Sequence, residues 1–348
     1  MILNKTPVRT AKNYGINNIE LNDVNLPNNI QEFNSFEITG DTSNFEISNN
    51  VIFKKLKFGI SREFEELNNH KSNCNVKIDE IKSGNLFLEF NLNKENINLI
   101  ENIEINAKSK LKTTITIKLI SQDDLENFHN GIIKVNAQEN SYTEIIIVNM
   151  LNNKSKNFIS IENSLSKNST VNYLIVDFGG KTSITNWYSN LQGNSSKSNI
   201  NTIYLGNEEK LIDINYIAEL YGEQAKTNID VQGALKDNAL KNFKGTIDFK
   251  KGCKKAVGDE NEFCMLLSEK AKAKALPMLL CTEENIQGNH STACGKIDDA
   301  QLFYLMSRGI SYTDAMKLII KARFNKTIQK IKDEILKEEI LNQIDKRI

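Results

Sequence analysis

Between Val76 and Leu280 the chain repeats one hydropathy pattern, short runs in which apolar and polar residues alternate. The runs read LFLEFNL at 86–92, TTITIKLI at 113–120, GIIKVNA at 131–137, TEIIIVNML at 143–151 and VNYLIVDF at 171–178. SITNWYSNL at 183–191, NINTIYLG at 199–206, LIDINYIAEL at 211–220, TNIDVQGAL at 227–235 and FKGTIDFK at 243–250 continue the series. A period of two sends alternate side chains to opposite faces, which predicts strands. The connectors are too short for crossover helices, which disfavours an ordinary parallel α/β sheet. In the second half the strands recur about every 13 to 15 residues, longer than the roughly 8 to 12 of sandwich hairpins. Such a beat suits a solenoid, each coil burying its apolar face on the next. The richness in Ile and Val fits a stacked, pleated surface. An antiparallel sandwich is the competing reading of this pattern.

The flanks differ. Residues 1–40 read as mostly irregular, with Pro7 and Pro27 set in polar sequence. Short alternations begin between Phe36 and Phe53, and a helical piece is expected around Phe58 to Asn69. After Ile297 the period lengthens: Leu302, Leu305 and Met306, then Ala315, Leu318, Ile319 and Ala322, keep helical spacing. Arg308-Gly309 ends the first helix, since Gly takes the left-handed cap conformation. Ser311 to Asp314 is a capping box that starts the second. Ile328, Ile331, Ile335 and Ile344 then mark an amphipathic tail. Three regions follow: 1–75, irregular and partly helical; 76–297, a β core; 298–348, helical.

Charge narrows the function classes. Forty-four basic and 44 acidic residues balance, so no global basic field draws nucleic acid to the chain. No stretch approaches the about 18 apolar residues of a membrane span, and the amino terminus has no apolar core of signal-peptide length. Five cysteines are an odd number without the spacing of a secreted framework. A reduced, cytoplasmic protein with free thiols is expected.

Catalytic signatures are missing. No G-x-S-x-G, H-E-x-x-H or paired C-x-x-C occurs, and three histidines leave no triad to argue. Gly179-Gly180-Lys181-Thr182 ends like a phosphate-binding loop, but Ile175 stands where its first glycine belongs, so a turn between strands is the better reading.

The chemistry-bearing residues crowd into Asp259 to Arg323. Cys264 stands in N-x-x-C-x-x-L; its thiolate is a soft ligand for iron or sulfane sulfur, and its thiol is equally a small apolar filler. His290, in GNHSTACG, is either an imidazole ligand or a turn residue bonding local backbone. Cys294 follows it by four residues, an H-x-x-x-C pair able to chelate, and Cys281 follows an apolar run and reads as packed. If two segments of about 13 residues make one coil, Cys264 and His290 lie one coil apart, close enough to address one metal or sulfur species.

The runs CMLLSEKAKAKALPMLL at 264–280 and GNHSTACGKIDDAQLFYLMSRGIS at 288–311 resemble the C-terminal core of the SufB/SufD family of iron–sulfur cluster assembly scaffolds. Leu266 to Leu279, Glu283 and Glu284, His290, and Asp298 to Ile310 carry the match. The resemblance implies a parallel β-helix core flanked by helices and a non-catalytic scaffold. Cys264 and His290 are its implied sulfur or iron ligands, with Cys294 and Cys281 weaker candidates that take no role from the family. A transient cluster or iron is implied, and no stably bound cofactor. The implied partners are a SufB-like subunit, with a homodimer as its stand-in in isolation, and a SufC-like ABC ATPase. Asp298, Gln301, Leu302, Phe303, Tyr304, Leu305, Ser307, Arg308 and Gly309 are the implied ATPase-docking residues. Ser291 replaces the Glu that generally follows this His in SufB proteins, which favours a SufD-type subunit over a SufB-like primary scaffold. A carbohydrate-binding or adhesive solenoid is the alternative from another class.

Overall fold

The computed structural model describes residues 1–22, 24–52 and 55–348. Phe53, where the expected early alternation ends, lies outside them. The core is a parallel β-helix flattened into two nine-stranded sheets, and successive strands alternate between the sheets. The first sheet runs from Phe36–Gly40 through Gly84–Leu92, Lys112–Ser121, Tyr142–Met150, Thr170–Asp177, Lys197–Gly206, Lys226–Leu235 and Ala256–Leu266 to Ile286–Lys296. The second runs from Phe45–Ser48 through Cys74–Glu80, Asn98–Ala107, Phe128–Ala137, Lys156–Leu165, Thr182–Leu191, Leu211–Leu220 and Leu240–Phe249 to Lys272–Cys281. Within each sheet eight strands are parallel, one from each of eight coils. Only Phe36–Gly40 and Phe45–Ser48 pair antiparallel, against the first coil. The sandwich reading fails because consecutive strands of the solenoid face each other across the core instead of pairing as hairpins.

Six solenoid strands lie outside the alternating runs: Cys74–Glu80, Ala256–Leu266, Lys272–Cys281 and Ile286–Lys296 at the two ends, and, within the repeating stretch, Asn98–Ala107 and Lys156–Leu165. The last two bury polar side chains at inward positions. Glu101 faces the His129 Nε2 at 3.3 Å, while Asn157 accepts or shares a hydrogen bond with His129 Nδ1 at 2.6 Å and donates to Ser183 Oγ at 3.0 Å. Neither Glu101 oxygen has a hydrogen-bond partner among the described residues, and inward polar side chains of this kind erase the apolar half of an alternation.

Both outer faces are covered. Ile146, Val148, Leu174, Val176, Ile203 and Met265 on the first sheet pack against α2 (Asp299–Ser307), α3 (Tyr312–Ile328) and α4 (Glu334–Arg347). The N-terminal segment and α1 (Arg62–Lys71) pack on the second through Leu3, Ile19, Phe64, Phe128 and Phe158. Burial on two faces explains near-continuous apolar stretches such as Ile145 to Val148. Ser311 accepts from the Asp314 N–H at 3.1 Å and caps α3, and Gly309 takes φ +86° after α2, both as expected. The tail departs from expectation at Ile335, which is 74% exposed. Asp333 caps a new helix, resetting the phase, so that Leu336, Ile340 and Ile344 form the buried stripe.

The irregular N-terminus is tied down by charge. Asn4 Nδ2 donates to Asp213 Oδ1 at 2.6 Å, and Lys244, fully buried, pairs with the same carboxylate and donates to the Asn4 carbonyl at 3.0 Å. Asp213→Ala therefore strands a buried ammonium. It is expected to cost about 3–5 kcal/mol, read as a lower urea midpoint; an unchanged midpoint would show that the tie contributes nothing.

Candidate functional site at the last coil

Cys264 and its neighbours owe their positions to register. Glu260, Glu262 and Cys264 alternate on Ala256–Leu266 and all point into the core. Ile286–Lys296 stacks on that strand with Glu260 opposite His290, Glu262 opposite Thr292 and Cys264 opposite Cys294. This is the last strand of its sheet. Its inward residues His290, Thr292 and Cys294 are consequently exposed at the mouth of the solenoid, while Cys264 beneath them is buried.

The coil is thirty residues long here, not twenty-six. The mate of Cys264 is therefore Cys294, and His290 is displaced by four residues, about 13 Å along a strand. The structure thus brings together the thiol pair and leaves the imidazole further along the same mouth. Cys281 is also exposed, but its thiol donates to the Glu283 carbonyl at 2.8 Å in a local turn, apart from the other two.

Behind the thiols lies a polar interior that periodicity did not single out. Tyr204, Gly233, Cys264 and Cys294 occupy successive positions of one register column. A Cβ on Gly233 would lie 2.0 Å from Tyr204 Cζ, so the missing side chain is what lets the Tyr204 ring lean toward the next coil. Its hydroxyl reaches the Cys264 thiol and donates to Glu262 Oε1 at 3.2 Å. Lys241, arriving from the second sheet, donates to the same carboxylate oxygen at 2.6 Å. Burial pushes the Cys264 thiol up to about 12, outweighing the Lys241 ammonium and the Tyr204 hydroxyl, which pull it down. Burial raises Cys294 as well. Both are therefore thiols at neutral pH until a ligand displaces the proton.

Glu260 is the least satisfied group. It fills the space a Cβ on Gly245 would need, and neither of its oxygens has a hydrogen-bond partner among the described residues. Burial, then the neighbouring Glu262 carboxylate, push it up to about 8. The sequence did hold signals for this layer. An isolated glycine in a strand marks a close approach, and two acids alternating with Cys264 share its face. Among the described residues no three His, Cys, Asp or Glu side chains converge as a metal site.

A second surface adjoins the mouth. Asp298 caps α2 by accepting from the Ala300 N–H at 2.8 Å. Leu302 is buried and Leu305 partly so, while Gln301, Phe303, Tyr304 and Met306 face outward, Phe303 being 74% exposed. The Arg308 guanidinium lies 5.2 Å from the Tyr304 ring centroid, and the Ser307 hydroxyl donates to the Tyr304 carbonyl at 2.8 Å. An exposed aromatic pair on a capped helix is an unusual surface for a monomer.

The site is therefore a stacked-coil scaffold with soft donors at one end and an adjoining helical face. Residues 90–323 match the family model described as SUF system FeS cluster assembly, SufBD core domain. The chain belongs to that family. It is 28% identical over 160 residues to the iron–sulfur cluster assembly protein SufD of Bacillus subtilis, covering 46% of this chain and 37% of that protein. It is 24% identical over 237 residues to SufD of Escherichia coli, covering 68% of this chain and 56% of that one. A SufBD family protein of Pyrococcus horikoshii is 30% identical over 162 residues, 46% of this chain and 35% of its own. The chain thus spans from about a third to just over half the length of these relatives. Among the described residues no helix is long and apolar enough to cross a membrane.

Glu260 makes a pH prediction. The titratable groups beside it are Glu262 on its own strand and His290, its register partner on the last strand. Its folded pKa of about 8 lies above the ordinary 4.5, so the folded state holds a proton that the unfolded chain releases. Stability is therefore lost as pH rises between those values, and the penalty is complete above the upper one. Glu260→Gln should gain stability relative to the parent on going from pH 5 to pH 9. Parallel urea midpoints for the two proteins at both pH values would refute the assignment.

Proposed function

We propose that this chain is a SufD-type scaffold subunit of the SUF iron–sulfur cluster assembly machinery, without catalytic turnover of its own. The observation that carries the reading is the uncovered last coil. Its strand edge and its inward donors, Cys294 and His290 above Cys264, face outward where a second solenoid would complete the stack. A SufB-like subunit is the partner of matching shape, and a second copy of this chain would take the same place in isolation. Iron or sulfur is then cargo, met at the mouth and held transiently. Ser291 supports the SufD-type role over the primary scaffold: its hydroxyl donates to Asn261 Oδ1 at 2.7 Å, where a carboxylate would have supplied a ligand. The carbohydrate-binding alternative loses its best residue, since Trp187 is fully buried in the core.

ATP hydrolysis falls to an ABC ATPase of the SufC kind, docked on α2 through Phe303 and Tyr304. The setting of the whole assembly is cytoplasmic. Because both aromatic rings are exposed, Phe303→Ala with Tyr304→Ala leaves the fold intact. That double variant is expected to lose copurification with the ATPase of its own system, while still binding the SufB-like subunit. Undiminished ATPase capture would place the docking surface elsewhere.

A further inference from the structure

The stacked thiols Cys264 and Cys294 have a geometry of their own, independent of the assembly reading. They are Cα partners on adjacent parallel strands and point to the same face. The two thiols are close enough to act on each other's charge. Directly opposed strand positions lie about 4.7–4.9 Å apart. A disulfide takes Cα atoms about 4.4–6.8 Å apart, so this spacing admits one on oxidation, and the metal site concerns the reduced pair. Two metal–sulfur bonds of about 2.3 Å, laid end to end, span about 4.6 Å. That length matches the strand spacing without distortion.

The donor set then selects the metal. Zinc and iron take four or more ligands, and no third His, Cys, Asp or Glu side chain converges here among the described residues. His290 sits opposite Glu260, four residues away. Two opposed thiolates and no third donor suit a soft monovalent cation that accepts two-coordinate, linear binding. Access is one-sided: Cys294 is exposed at the mouth, and Cys264 lies beneath it as part of the apolar core. The Lys241 ammonium favours the thiolate form of both cysteines, and the Glu262 carboxylate that it pairs with opposes it. Tyr204 stands behind Cys264 in the same register column, its hydroxyl donating to Glu262 Oε1 at 3.2 Å.

We propose that Cys264 and Cys294 form a two-coordinate site for copper(I), each thiol releasing its proton on binding.

The test is an anaerobic titration of the reduced full-length chain with copper(I) against a chromophoric copper(I) chelator. One ion per chain is expected. Cys294→Ala, an exposed position whose loss leaves the core intact, should weaken binding by about 100-fold or more, since even outer-shell changes at metal sites cost 10–100-fold. Cys264→Ala should do the same, with circular dichroism confirming that it folds, and Cys281→Ala should bind like the parent. Retention of parent affinity by Cys294→Ala would overturn the site. So would zinc(II) binding as tightly as copper(I) at the same stoichiometry. Neither result bears on ATPase capture through α2, so this inference and the scaffold reading fail separately.

Discussion

Parallel, in-register stacking is the constraint on which the molecule depends. Once the ladder fixes one pair of residues, every side chain's neighbour in the next coil is determined, and errors propagate in columns. The corners obey the same rule. Asn140, Asn168, Ser195, Gln224 and Lys255 all take positive φ without being glycine. Each such conformation costs about 1 kcal/mol or more. Their N–H groups are satisfied by the corner of the following coil, as in Asn168 to the Asn194 carbonyl at 2.9 Å and Ser195 to the Glu223 carbonyl at 2.8 Å. The strain is repeated because the ladder repeats.

A stack must also end. At the start, two antiparallel strands and α1 cover the first coils, an ordinary way of closing a solenoid edge. At the finish the last strands of both sheets stand without a further neighbour among the described residues. This asymmetry distinguishes one end of the scaffold from the other. The finishing end carries charge in its interior: Lys241, Glu260 and Glu262 are buried in the coil beneath it, as Glu101 and His129 are nearer the start. A buried ion pair such as Lys241 with Glu262 adds little stability over an apolar pair.

Periodicity carried the architecture a long way. Clean alternation marked most strands of the solenoid, and the capping box at Ser311 and the left-handed Gly309 placed the helix ends. What it missed, it missed for identifiable reasons. Glu101 and Asn157 point inward where an apolar residue was expected, so their strands looked like loops. The coil length was taken from strand spacing, but the corners differ in length, and a four-residue error paired Cys264 with His290 instead of Cys294. Register is a long-range property, and only the ladder itself sets it. Ile335 misled because a second N-cap at Asp333 shifts the helical phase, which a count of isoleucines does not detect.

The thiols and the helical face are joined more closely than their separate descriptions suggest. On the strand Ala256–Leu266, Cys264 faces the solenoid core while the adjacent Met265 packs into the cluster formed with α2, α3 and α4. The last strand ends at Lys296 and α2 begins at Asp299, and buried Ile297 anchors the join in that same cluster. Two intervening residues are too few to absorb a displacement of several ångströms. A partner that shifted α2 would therefore act on the strand bearing His290 and Cys294, whose outer edge no neighbour among the described residues holds. Such movement would be resisted on the Cys264 side, where the ladder continues for seven more coils. Any force reaching the mouth through the helices would thus separate Cys294 from Cys264 before it disturbed the rest of the stack.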